Sequence, residues 1–353
     1  MTGSILQHKR KYAGSAESRR LAELARAAGL GDSPDDALQL HRDALTLVGS
    51  DEASPFVADV LRWQATVLRD RGRTSEAEPL YMRSLELSIK LGYDAGHAHA
   101  LNFLGSLAAR RGDVVRASSM MTDALELAEH CGEKRLVGMI QQNMGILADM
   151  RGNPAAALAH YRVSLRTFES SNDLQLVCWV LTNLGYLHVK EGRFDEAHEA
   201  LTRALGIARA RGDLMTEAVV EENLAELFLM RGDVAEAFAP IQRAHAIAEQ
   251  RGDDLRRGAA LKLRGAFERL SGRPDHATDA LRHALTLSAV SEDALLGAEI
   301  LYQFGLALAA AGDEKHARTA WNSALDAFER IAARQWVARV RTCLTEGPSG
   351  RYL

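Results

Sequence analysis

The 353 residues are 47% hydrophobic and 25% charged, proportions that exclude wholesale disorder. A formal net charge of −4 excludes a global electrostatic pull on nucleic acid or anionic lipid. Cys131, Cys178 and Cys343 lie far apart, with neither redox nor metal-ligand spacing, which fits a reducing compartment without a disulfide framework. No apolar run follows Lys9, Arg10 and Lys11, so the start does not read as a secretory signal. No stretch approaches the roughly 18 consecutive apolar residues of a membrane span. The expected location is the cytoplasm, with no membrane partner.

Residues 1–15 carry no periodicity and read as a tail. From Ala16, the spacing of Leu21, Leu24, Ala25 and Ala28 predicts an amphipathic helix ending near Gly29 and Gly31. Ser33-Pro34 then starts a second helix, and Ala37, Leu40, Ala44 and Leu45 lie forty residues before Ala77, Leu80, Ser84 and Leu85. Residues 16–54 are thus a divergent first repeat. Seven regular forty-residue units follow over 55–334. Each carries a mid-unit glycine, at Gly72, Gly112, Gly152, Gly192, Gly232, Gly272 and Gly312, and an alanine five residues later. A fixed period held this long predicts a solenoid.

Glycine accepts the left-handed conformation that ends one helix, and a following Asp113, Asn153, Asp233 or Asp313 can cap the next. A second mark falls at Gly92, Gly132, Asn172, Gly212 and Gly252, with Ser291-Glu292 and Ala332 in the later units. Two helices of about 16 residues therefore fill each unit. The predicted fold is all-α: a right-handed superhelical solenoid of about eight antiparallel helix pairs. Trp336, Val337, Val340, Cys343 and Leu344 share one face of a final helix over 335–345, the expected C-terminal cap of a solenoid spanning 16–346. Residues 347–353 read as a tail.

Small residues recur in each first helix, at Ala65, Gly105, Gly145, Gly185, Ala225, Gly265 and Gly305. A bulky column in each second helix, Tyr81, Met121, Tyr161, Leu201, Ile241, Leu281 and Trp321, is expected to fill the space beside them. In the last unit Trp321 is expected to occupy the room left where the apolar column of the first helix shrinks to Ala307.

The Leu-Gly, Gly, Ala, Ala spacing resembles the tetratricopeptide repeat family. Its forty-residue length, and the Asn-(Leu/Met)-(Gly/Ala) form at Asn143, Asn183 and Asn223, are similar to the variants of kinesin light chains and of the sensor halves of MalT-like bacterial regulators. The usual Trp near the start of the first helix and Pro at the end of the second are missing, and Gln141 and Glu221 stand where an apolar residue is common. The resemblance implies that first helices line a concave groove that holds ligands, at positions two, three and six before the small residue and one after it. In the central units these are His99, Asn102, Phe103 and Ser106; Met139, Gln142, Asn143 and Ile146; Trp179, Thr182, Asn183 and Tyr186; and Val219, Glu222, Asn223 and Glu226. Polar amides beside Trp179 and Tyr186 would suit an extended peptide. The asparagines could equally bridge neighbouring helices, and Trp179 could simply pack. Groove charges read as Arg62 and Arg69, then Glu221, Glu222 and Glu226, then Arg256, Arg257, Lys262 and Arg264: a bipolar groove that would fix a partner's direction, or a solvated face. The carboxylate clamp of chaperone-adaptor repeats is not supported, because Arg62 and Asn143 match only some of its positions.

No nucleophile elbow, phosphate loop or zinc motif occurs, and His97 and His99 point to different sides of a helix. The turn clusters Arg71-Gly72-Arg73 and Arg110-Arg111 have acidic company, and no continuous basic stripe suits nucleic acid. No enzyme, cofactor or metal is therefore expected. The expected function is a scaffold that holds a peptide or partner protein in the groove; the alternative is a peptide- or ligand-sensing module of a bacterial regulatory system. A homodimer through the end caps is left open.

Overall fold

The computed structural model of the chain describes residues 16–30, 34–48, 53–289, 293–331 and 333–347. The expected N-terminal tail, all but Gly347 of the C-terminal one, and the turn marks at Gly31, Ser33, Ser291-Glu292 and Ala332 lie outside the described residues. Among the described residues there are 17 α-helices and no strand, so the fold is an all-α helical repeat.

Two compact units divide the chain, Met1–Leu147 and Ala148–Leu353. Unit 1 pairs α1 (Ala16–Leu30) with α2 (Pro34–Val48), α3 (Pro55–Asp70) with α4 (Thr74–Leu91), and α5 (Asp94–Arg110) with α6 (Val114–His130). The unit boundary falls inside α7 (Lys134–Met150). Unit 2 continues with α8 (Pro154–Ser170), α9 (Leu174–Lys190), α10 (Phe194–Arg211) and α11 (Leu214–Arg231). After a short 3-10 turn at Val234–Ala237 come α12 (Phe238–Gln250), α13 (Asp254–Leu270) and α14 (Pro274–Ser288). The last helices are α15 (Ala294–Ala310), α16 (Glu314–Arg330) and α17 (Arg334–Glu346).

The turn residues explain this regularity. Gly112 sits at φ 81°, and the amide of Asp113 returns to the carbonyl of Ala108 at 2.9 Å, closing α5 with a left-handed cap. The Asp113 carboxylate then accepts from the Arg116 amide at 3.1 Å and opens α6. Asn153 and Asp313 cap α8 and α16 in the same way. Among the described residues Asn172, at φ 52°, is the one non-glycine with positive φ, and it holds the mark that Gly92, Gly132, Gly212 and Gly252 hold in their repeats. Asp233 departs from the expected cap. Its carboxylate is bound by Arg231, its side chain caps nothing, and α12 is preceded by the 3-10 turn.

Gly105, Gly185, Gly265 and Gly305 each meet the bulky residue of their own repeat. A Cβ built on Gly185 would lie 2.5 Å from Leu201, and one on Gly305 would lie 2.3 Å from Trp321. Trp321 is fully buried against Gly305, with its Nε1 donating to the Tyr302 carbonyl at 3.3 Å. It does not answer Ala307 as expected: Ala307 packs with Leu281 and Ala284 of the preceding repeat, whereas Trp321 joins Tyr302, Phe328 and α17. That last cluster buries Val340 and Cys343 of α17, and Trp336 stacks on Phe328 with ring centroids 5.1 Å apart. Each large side chain buried this way contributes about 1.5–3 kcal/mol. Within unit 2, α17 also returns to the turn before α8, where the Gln335 amide nitrogen lies 3.5 Å from the Cβ position of Gly152.

Candidate binding site

First helices of successive repeats present their polar positions to one another, and side chains tie them together. In unit 1 the Asn143 amide donates to Asn102 Oδ1 at 2.9 Å, linking α7 to α5. Asn102 is fully buried, so this pair bridges helices, one of the two roles open to the asparagines. His99 stacks on Phe103 at 6.5 Å between centroids, and burial together with Arg62 and Arg135 holds its pKa well below the usual histidine value. Gln142 is half-buried and Ile146 exposed.

In unit 2 the indole of Trp179 donates to Thr216 Oγ1 at 3.1 Å, so its polar edge serves α11 while its ring stays partly exposed. Thr182 turns its hydroxyl back to the Cys178 carbonyl at 2.8 Å. Asn183 is half-buried. Lys190 binds both oxygens of Asp149 at 2.8 and 2.9 Å, and its ammonium stands 5.5 Å from the centre of the Tyr186 ring.

Four predicted residues, Tyr186, Glu222, Asn223 and Glu226, come together around a cavity of about 200 Å³ in unit 2. Arg256, Lys262, Asp293 and Glu299 complete its polar wall, with Leu255, Ala259, Leu263, Leu295 and Leu296 as the apolar part. Glu222 Oε2 accepts from Arg256 at 2.9 Å, and Lys262 donates to Glu299 at 2.5 Å. Burial raises the pKa of both Glu222 and Glu226 above the usual carboxylate range. Burial also pulls Lys262 down, but the carboxylates of Glu299 and Glu226 outweigh it and hold the ammonium firmly protonated. Burial likewise lifts the Tyr186 phenol well above its ordinary value.

Much of the expected succession of groove charges resolves into pairs. Glu221 reaches Arg209 at 2.6 Å on the second-helix side, Arg264 turns to Glu268 at 2.5 Å, and Arg62 holds Asp59 at 2.8 Å. Glu299 was not singled out from sequence, although it stands six residues before Gly305, and Lys262 three before Gly265. The positions three and six before the small residue, which give Glu222 and Val219, reach Lys262 one repeat further and Glu299 two repeats further. A second hollow of about 370 Å³ in unit 1 lies between α5 and α6, beside His97, Asp123, Glu126 and His130. Among the described residues no group of three or more His, Cys, Asp or Glu could hold a metal ion, and no helix is long and apolar enough to cross a membrane.

Comparison with known proteins agrees with this architecture. Family models described as tetratricopeptide repeat match residues 56–130 and 180–215. No curated protein matches the chain in sequence. Among solved structures, a Rap protein complexed with Competence and Sporulation Factor is similar over 94% of this chain and 97% of its own, at 13% identity and a TM-score of 0.61. A signal-transduction ATPase with a tetratricopeptide repeat sensor, from Pyrococcus horikoshii, is similar over 94% of this chain and 49% of its own, at 14% identity and a TM-score of 0.58. A chain of the APC/C hetero-tetramer Cut9–Hcn1 gives 87% and 52%, at 15% identity and a TM-score of 0.61. The present chain thus spans about half the length of the latter two. At such identities the likeness concerns the fold. The family matches show tetratricopeptide repeats at residues 56–130 and 180–215, and the forty-residue period and paired helices carry the same architecture along the described residues.

Proposed function

We propose that this protein is a non-enzymatic binding module that receives a peptide segment, free or part of a partner protein, on the first-helix face of unit 2. The observation that carries this proposal is the convergence of Tyr186, Asn223, Glu226, Lys262 and Glu299 on one cavity at the groove register. Helical repeats offer such faces as extended binding surfaces. The amides and carboxylates present there are the groups that pair a peptide backbone and its charged side chains. A Rap protein of similar fold is complexed with Competence and Sporulation Factor, and a similar repeat array serves as a sensor in an ATPase; both support a regulatory variant of this role. The return of α17 to the turn before α8 favours that variant, because an array that curls back surrounds a short segment better than a long one. The three free cysteines suit a cytoplasmic setting.

The test is a pull-down from native-cell lysate with the wild type and an Asn183→Ala/Tyr186→Ala/Asn223→Ala variant of unchanged helicity. A partner retained by the wild type and lost by the variant is the expected result. The same partners with both proteins would remove binding from this face.

A further inference from the structure

The next step rests on the proposed peptide-binding face of unit 2 and specifies what its cavity recognises. Charge around the cavity is lopsided: the carboxylates of Glu222, Glu226, Asp293 and Glu299 face two cations, Arg256 and Lys262. Both cations are already paired, Arg256 with Glu222 Oε2 at 2.9 Å and Lys262 with Glu299 at 2.5 Å. The nearby ammonium of Lys190 is held by both oxygens of Asp149. Acceptors are left over. Glu226 lines the cavity with no hydrogen-bond partner among the described residues, and the cations that act on it, Lys262, Arg339 and Lys190, do so through space. Oε1 of Glu222 is buried and likewise has no partner there. The two residues are four apart on α11, so their carboxylates share a face.

A buried acceptor without a donor is costly, and burial keeps raising the free energy of both carboxylates. A ligand that brings donors relieves that cost, whereas one that brings acceptors adds to it. The size is also selective. About 200 Å³ falls below the roughly 300–1,000 Å³ of a drug-sized site and leaves room for one side chain.

We infer that the unit 2 cavity takes a single cationic group of a bound peptide, an arginine guanidinium or an ammonium, with Glu226 as its counter-ion and the buried Glu222 carboxylate adding negative charge behind it. The rest of the peptide lies outside the cavity and contributes by other contacts.

The experiment presents a displayed library of random heptapeptides to the full chain and sequences the retained clones. Enrichment of Arg or Lys at one peptide position, or of binders that depend on a free N-terminus, is expected. The best arginine peptide is then resynthesised with citrulline, which keeps the shape and removes the charge. Its affinity for the wild-type protein should fall on the order of 10-fold or more. A lysine peptide is compared with its acetylated form, and an N-terminal one with its acetyl cap. Glu226→Gln should lose the preference and Glu226→Asp should keep part of it. Retained peptides without basic enrichment, or citrulline and arginine peptides of equal affinity, would overturn the inference while leaving peptide binding standing. A library that yields no binder at all would overturn both.

Discussion

At the residue scale, the packing of this chain turns on what stands beside each small first-helix residue. Gly185 has no room for a methyl group, because Leu201 fills the space at 2.5 Å. Gly206, on the exposed side of α10, has nothing within 4 Å of its Cβ position and a helical backbone. The same substitution must therefore act in opposite directions. Gly185→Ala should destabilise by about 1–3 kcal/mol through overpacking. Gly206→Ala should stabilise by about 0.5–1 kcal/mol through helix propensity alone. Thermal melts of the two variants beside the wild type check the pair, and equal shifts would contradict it. The glycine columns were legible in the sequence because close approach leaves a periodic trace. The partner of Trp321 was not. Ala307 and Gly305 are both small and both on α15, and only packing shows that the indole lies on Gly305 while Ala307 serves the preceding repeat.

At the scale of elements, neighbouring first helices are joined by polar ties such as Asn102–Asn143, Asp149–Lys190, Glu222–Arg256 and Lys262–Glu299. Their worth depends on exposure. The side chains of Lys262 and Glu299 are 14% and 13% exposed, whereas those of Arg203 and Glu169, also paired, are 51% and 39% exposed. Glu299→Gln should cost about 3–5 kcal/mol, because it strands an ammonium away from water, while Lys262→Met/Glu299→Leu should come close to neutral. Arg203→Ala should change stability by at most about 1 kcal/mol. Denaturant midpoints decide this, and a double variant as unstable as the single one would contradict it. Helices and turns were legible because caps and left-handed positions are local, down to Asn172 in place of glycine. Asp233 shows the limit: it has the residue type of a cap, but Arg231 two positions away claims its carboxylate. The run of charges in the groove shows a related limit. Sign along the sequence says nothing of partners one repeat away, and Glu221 and Arg264 prove to be paired outside the cavity with Arg209 and Glu268.

At the scale of the whole molecule, the repeat period reaches further than any motif, since it specifies which positions of each first helix share a face. That register placed Tyr186, Glu222, Asn223 and Glu226 on the cavity of unit 2, and carried on it reaches Lys262 and Glu299. It does not show that the Thr182 hydroxyl donates to its own helix. Nor could it separate His99 and Asn102, which pack and bridge within unit 1, from the residues of the cavity. The central claim is that partners enter on the first-helix face of unit 2. Its most direct measurement places a photo-crosslinking p-benzoylphenylalanine at Asn223, inside the cavity wall, or at Glu199, exposed on the second helix α10, and irradiates each protein in native cells. Adducts formed from position 223 and absent from position 199 are the predicted result. Adducts formed equally from both positions, or from 199 alone, would contradict the account.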